Sequence, residues 1–191
     1  LTIYEDYAHH PVEIGALLNF IREDYPDNQI VVVFQPHRYS RTLYYKEAFA
    51  EVLKKANAFY LLNVYGANES LLEGGTSADL LKLLPDISED RIVTSVEELS
   101  DSLEQKLKAP SVLLFIGAGD ITEWAKAVVA RIENKRHKVI NGNQTMTKEE
   151  KWWIDLSQKI DKQTRIADFE SLADKTTLQV GGNTRYYSEP A

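Results

Sequence analysis

Ile30-Val31-Val32-Val33-Phe34-Gln35-Pro36-His37-Arg38-Tyr39-Ser40-Arg41-Thr42 passes in thirteen residues from an apolar run to a cluster of imidazole and guanidinium groups. Five β-branched or aromatic residues in a row, with no polar alternation, read as a strand buried on both faces, the mark of a parallel sheet. Pro36 closes the strand, because proline cannot donate to a ladder. A helix is expected to follow from about Arg41 to Lys55, burying Leu43, Phe49, Val52 and Leu53. In an open α/β sheet, ligands bind just beyond the carboxyl ends of the strands, where His37, Arg38 and Arg41 fall.

The same arrangement occurs upstream. Leu1 to Tyr4 reads as a strand, and Asp6-Tyr7-Ala8-His9-His10-Pro11 follows it. Pro11 suits a first helical position, and Ile14, Leu17, Leu18 and Ile21 share one helical face. That helix should end near Asp24, before Pro26. Downstream, Ala58 to Leu62 reads as a strand, Ser77 to Leu84 as a helix, Arg91 to Thr94 as a short strand and Val96 to Leu107 as a helix. Val112 to Ile116 is another apolar strand, leading into Gly117-Ala118-Gly119-Asp120. The next helix opens with Asp120 and Glu123 at capping-box spacing and would bury Trp124, Ala127, Val128 and Ile132. The alternation predicts an α/β fold: a doubly wound, mostly parallel sheet with helices on both faces, spanning residues 1–134.

The pattern then changes. Residues 135–147 are polar and read as a linker. Residues 148–191 form a second segment, with a helix over Lys148 to Ile160 and two short strands around Gly181-Gly182. The chain opens directly in strand-like sequence and stops after a β-rich stretch, so both ends are expected to be cuts in a longer protein.

Composition narrows the chemistry. Of 191 residues, 43% are hydrophobic, enough for a core. The balance of 29 acidic to 22 basic residues gives net charge −7 and argues against a nucleic-acid surface. The absence of cysteine excludes disulfides, Cys-zinc sites and thiol catalysis. No apolar run reaches the ~20 residues of a membrane span, and a cytoplasmic location is expected.

Each candidate residue has a bland alternative. Asp6 could accept ribose hydroxyls, as in dinucleotide folds, or form a turn. Of His9 and His10, one is expected to cap the helix and the other to face a ligand; without Cys or a His at i+4, a metal site is the weakest reading. Arg38 and Arg41 offer planar forks for a carboxylate or phosphate, near a helix start that also favours an anion; otherwise they are solvated arginines paired with acidic neighbours. Gly117-Ala118-Gly119 could hold an anion but lacks a dinucleotide fingerprint or P-loop signature, and reads more readily as a tight turn. Among the tyrosines at positions 4, 7, 39, 44 and 45, stacking on a base competes with ordinary packing.

Asp-Tyr-Ala-His-His-Pro, then Phe-Gln-Pro-His-Arg-Tyr-Ser-Arg-Thr, then Gly-Ala-Gly-Asp-Ile, in this order over Leu1 to Ile132, resemble the Rossmann-like C-terminal domain of Mur ligases, and most closely the L-alanine-adding branch. The tripeptide-recycling branch shares the His-His-Pro segment but differs at Gln-Pro-His-Arg. The resemblance implies ATP-dependent joining of L-alanine to UDP-N-acetylmuramate in peptidoglycan precursor synthesis, through an acyl phosphate. It implies that Asp6 and Tyr7 contact ATP, at the ribose and adenine, and that His9 is catalytic, facing the reacting phosphates. It further implies that His37, Arg38, Arg41 and the Gly117-Ala118-Gly119 loop bind the amino acid. Upstream domains would bind the UDP-sugar and supply the P-loop and Mg2+ ligands, so the fragment alone should be inactive. Two alternatives stand beside this: a tripeptide-recycling ligase domain and a non-catalytic nucleotide-binding or interaction module.

Leu172-Ala173-Asp174-Lys175-Thr176-Thr177-Leu178-Gln179-Val180-Gly181-Gly182 resembles the opening of the UDP-N-acetylenolpyruvoylglucosamine reductases. That resemblance implies a ligase–reductase fusion, with FAD and NADPH serving only the remainder of the reductase.

Overall fold

The computed structural model describes residues 1–84, 91–107 and 110–141, together with four two-residue strands further on. Four strands form one parallel sheet: β1 (Thr2–Asp6), β2 (Gln29–Gln35), β3 (Ala58–Leu61) and β4 (Ser111–Gly117), in the order β1-β4-β2-β3. Ile30 through Phe34 are wholly buried, as an uninterrupted apolar strand requires. Side-chain alternation divides this run between two cores. Val32 and Phe34 pack on one face beneath α1 (Pro11–Asp24), α2 (Tyr39–Leu53) and α3 (Ser77–Leu81). Val31 and Val33 pack on the other beneath α4 (Val96–Lys106) and α5 (Ile121–Asn141). The expected doubly wound sheet is therefore present, with helices covering both faces.

Helix α1 follows its sequence signals. His10 is the N-cap, Pro11 opens the helix, and the inward stripe is Ile14, Leu17, Leu18 and Ile21. Helix α2 starts two residues earlier than expected, at Tyr39. Of its expected inward residues, Phe49 and Leu53 are buried, while Leu43 and Val52 are only half-buried.

Several expectations need correction. Helix α3 ends at Leu81, not Leu84. The short strand over Arg91–Thr94 reduces to a single bridge between Ile92 and Leu61, with Val93 N–H donating to Leu61 O at 3.0 Å. Asp120 does precede α5, but its carboxylate accepts from Gln35 Nε2, and its backbone carbonyl takes the Glu123 N–H at 3.0 Å. The inward face of α5 is Ile121, Ala125, Val128 and Ile132; Trp124 and Ala127 are half-buried. Helix α5 also continues to Asn141, so seven residues of the expected linker are helical.

In the C-terminal segment, β5 (Arg165–Ile166) pairs with β8 (Ser188–Glu189), and β6 (Glu170–Ser171) with β7 (Asn183–Thr184), both antiparallel. The partner of β7 thus precedes the stretch where a second strand was expected. The helix expected at 148–160 and Gly181-Gly182 lie outside the described residues.

Candidate functional site

Register brings the strand ends to one rim: Asp6 lies opposite Ile116, and Gln35 opposite Gly117. Beyond them, a parallel bridge joins His37 to Tyr65, just past β3. The residues that leave these ends form the candidate site.

Asp6 is buried, and its Oδ1 accepts the Ala8 N–H at 2.7 Å. One of its oxygens therefore serves the turn role weighed from the sequence. This turn leaves Tyr7 exposed, with its ring edge-on to His9 at 5.2 Å. The two adjacent histidines divide their work. His10 Nδ1 accepts the Val12 N–H at 3.3 Å and caps α1, while Glu13 Oε2 accepts the backbone N–H of both His9 and His10 at 3.0 Å. His9 Nδ1 meets Tyr7 O at 3.0 Å. Because a carbonyl only accepts, this contact calls for a proton on Nδ1.

The His9 ring lies 5.8 Å from that of His37, which stacks on Tyr65 at 5.7 Å and 11°. Tyr7, His9, His37 and Tyr65 thus form a continuous row of rings along the rim. The pKa of His37 is lowered by burial, and then by the charges of Arg41, His9 and Arg38, with Glu69 opposing. The ring is held neutral among cations.

Arg38 has φ +71° and ψ +133°, a conformation that non-glycine residues rarely adopt. Its N–H donates to Tyr65 O at 2.8 Å, and its carbonyl accepts from Thr42 N at 3.1 Å and Thr42 Oγ1 at 2.9 Å. Such strain costs about 1–3 kcal/mol and persists where surroundings over-determine it, commonly at functional sites. Among the described residues, no ion pair engages Arg38 or Arg41. Arg41 Nη1 and His37 Nδ1 are both buried without a hydrogen-bond partner. A desolvated guanidinium N–H without an acceptor is costly, and a bound carboxylate or phosphate oxygen would satisfy it.

The glycine loop closes the rim. A Cβ on Gly117 would lie 2.8 Å from Gln35 O, and one on Gly119 would lie 2.5 Å from Gln35 Oε1 and 2.6 Å from Tyr65 Cγ. Both glycines permit close approach to β2 and its neighbour, and half-buried Ala118 lies between them. Tyr65, Glu69 and the Gln35–Asp120 contact were missed from the sequence. The signal was available: Tyr65 follows a buried strand just as His37 does. Among the described residues, no three His, Asp or Glu side chains gather as a metal site.

A parallel sheet flanked by helices, with unpartnered His37 and Arg41 nitrogens at its carboxyl rim, places the chain among the α/β domains. The sequence profile described as "Mur ligase, glutamate ligase domain" matches residues 1–119, and the chain belongs to that family. It is 43% identical over 123 residues to the UDP-N-acetylmuramate–L-alanine ligase of Hydrogenobaculum sp., covering 64% of this chain and 27% of that protein. It is 36% identical over 130 residues to the ligase of the same name from Aquifex aeolicus, covering 68% and 28%. The chain thus spans little more than a quarter of these relatives. A crystallised domain from Haemophilus ducreyi, assigned to a UDP-N-acetylmuramate:L-alanyl-γ-D-glutamyl-diaminopimelate ligase, has the same fold. Its TM-score is 0.50 at 19% identity, over 68% of this chain and 89% of that one.

Proposed function

We propose that this chain is the C-terminal domain of an ATP-dependent ligase that adds L-alanine to UDP-N-acetylmuramate. The observation that carries the reading is that Arg41 Nη1 and His37 Nδ1, both just past the end of β2, are buried without a hydrogen-bond partner, in a chain whose curated relatives are alanine-adding ligases. Those relatives also favour this reading over the tripeptide-recycling one.

In this reading the sugar carboxylate attacks the γ-phosphate of ATP, giving an acyl phosphate and ADP. The amine of L-alanine attacks the acyl carbon, the tetrahedral intermediate expels phosphate, and the amine gives up a proton. Arg38 and Arg41 hold the alanine carboxylate, and neutral His37 lines the pocket without adding charge. Exposed Tyr7 is free to lie against the adenine, Asp6 stands near the ribose, and His9 Nε2 faces the phosphates. Rigid placement of the amine against the acyl phosphate supplies the rate advantage. Mg2+ would screen the phosphates, its ligands lying on upstream domains together with the UDP-sugar site. The reaction belongs in the cytoplasm, where the nucleotide substrates are; among the described residues no helix is long and apolar enough to cross a membrane.

Residues 148–191 are read as the start of a flavin-dependent reductase, whose FAD and NADPH sites would lie further on. The flanking sequence tests this directly: a flavin-binding domain downstream supports the fusion, and its absence removes it. For the ligase, replacing Arg38 and Arg41 in the complete protein should weaken use of L-alanine while leaving UDP-N-acetylmuramate affinity little changed. Normal kinetics would remove the assignment.

A further inference from the structure

The helix start that carries the two arginines already holds a carboxylate. Glu69 Oε2 accepts the backbone N–H of Ser40 at 3.0 Å, and its Oε1 accepts the Ser40 hydroxyl at 2.6 Å. Glu69 reaches that position through a tight turn, in which its N–H donates to Gly66 O at 2.9 Å. Ala67 and Asn68, the central residues, both have positive φ, +47° and +68°. Two consecutive left-handed residues make a mirror-image turn, normally reserved for Gly, Asn or Asp. Ala67 there is a strained choice.

The same segment holds the preceding residues. Tyr65 N–H donates to Pro36 O at 2.8 Å, and Tyr65 O accepts the Arg38 N–H at 2.8 Å. Arg38, at φ +71°, is therefore gripped by Tyr65 before α2 and by the Glu69–Ser40 contact just inside it. A free anion would ordinarily compete for the first-turn amides of α2, but Glu69 holds the Ser40 N–H, leaving a ligand the guanidinium groups of Arg38 and Arg41.

We propose that Glu69 is a positioning residue for the amino-acid substrate. By anchoring Ser40 it fixes the first turn of α2 and aims Arg38 and Arg41 at the substrate carboxylate. This rests on the ligase reading above. It adds that the loop after β3 sets amino-acid affinity without touching the amino acid.

The test uses the complete ligase containing this chain, with Glu69→Ala and Glu69→Gln. Glutamine keeps an oxygen for the Ser40 N–H and an amide that can donate to the freely rotating Ser40 hydroxyl. Glu69→Ala should raise KM for L-alanine about tenfold or more, since small misplacements of a binding group are costly, with KM for ATP within about twofold of wild type. Glu69→Gln should return KM for L-alanine to within about threefold. Amide hydrogen exchange should quicken at residues 39–42 in Glu69→Ala and stay near wild type in Glu69→Gln. An unchanged KM for L-alanine in Glu69→Ala overturns the proposal. So does a parallel rise for ATP, or failure of glutamine to rescue despite normal exchange. Failure of the ligase reading would look different: the wild-type protein itself would release no ADP in response to L-alanine, and the exchange comparison would still decide whether Glu69 anchors α2.

Discussion

The backbone N–H of Arg38 donates to the carbonyl of Tyr65 at 2.8 Å, across the gap between the ends of β2 and β3. This bond helps hold a non-glycine residue at φ +71°, at the point where the chain turns from strand into helix. The fold therefore stores strain at the start of α2, the turn that carries Arg38 and Arg41.

Replacing Arg38 by glycine should release that strain. The expected gain is up to ~1 kcal/mol in unfolding free energy, at the low end of the cost of such conformations because glycine also loses more chain entropy. Arg38→Ala keeps the Cβ and should not gain. Both variants should lose amino-acid affinity in the complete ligase. Urea unfolding of the two variants checks this; equal stability would mean that the backbone there is not strained.

Gly119→Ala should destabilise the domain by about 1–3 kcal/mol, the usual cost of forcing atoms into a packed site. Its Cβ would meet Gln35 Oε1 and Tyr65 Cγ at 2.5 and 2.6 Å. Gly15→Ala is the internal control. It lies within α1, where the nearest atom to an added Cβ is Val52 Cγ1 at 3.4 Å, an ordinary contact. Gly15→Ala should be neutral or stabilise by up to ~1 kcal/mol. Thermal unfolding of both variants separates close approach from helix propensity.

His37 predicts a pH dependence. Its folded pKa lies below the ordinary 6.5, chiefly from burial and then from Arg41, His9 and Arg38. Well above pH 6.5 both folded and unfolded states carry the neutral ring, and this group's effect on stability is nil. As pH falls through 6.5 the unfolded chain takes up the proton first, so stability declines until the folded ring is also protonated. His37→Asn should remove that component. Comparing unfolding free energies of wild type and variant at pH 7.5 and 5.5 measures it; parallel curves would contradict it.

Much of this was legible from the chain. The uninterrupted apolar runs at Ile30–Phe34 and Val112–Ile116 announce strands covered on both faces, and Pro11 with the Ile14–Ile21 stripe defines α1. The rim residues after β1, β2 and β4 follow from strand-end position. Arg91–Thr94 was less readable, because a short apolar pair gives little periodicity and its bonding depends on where Leu61 falls. The end of α5 was obscured because Lys135-Arg136-His137-Lys138 carries no apolar stripe, yet its helix formers continue the helix. Glu69 was invisible for another reason. Its partner Ser40 is 29 residues away, and only the turn at Ala67 and Asn68 brings the two together. Likewise, the carboxylate of Asp120 joined Gln35 across the sheet, overriding its local capping signal.

The central claim is that Arg41 and its neighbours hold the carboxylate of L-alanine. The most direct measurement is the steady-state KM for L-alanine of the complete ligase carrying Arg41→Ala, alongside KM for ATP and for UDP-N-acetylmuramate. Losing a charge-assisted hydrogen bond worth about 1.5–3 kcal/mol should raise KM for L-alanine roughly tenfold to a hundredfold. The other two constants should stay within about twofold. An unchanged KM for L-alanine, or an equal rise in all three constants, would contradict the account.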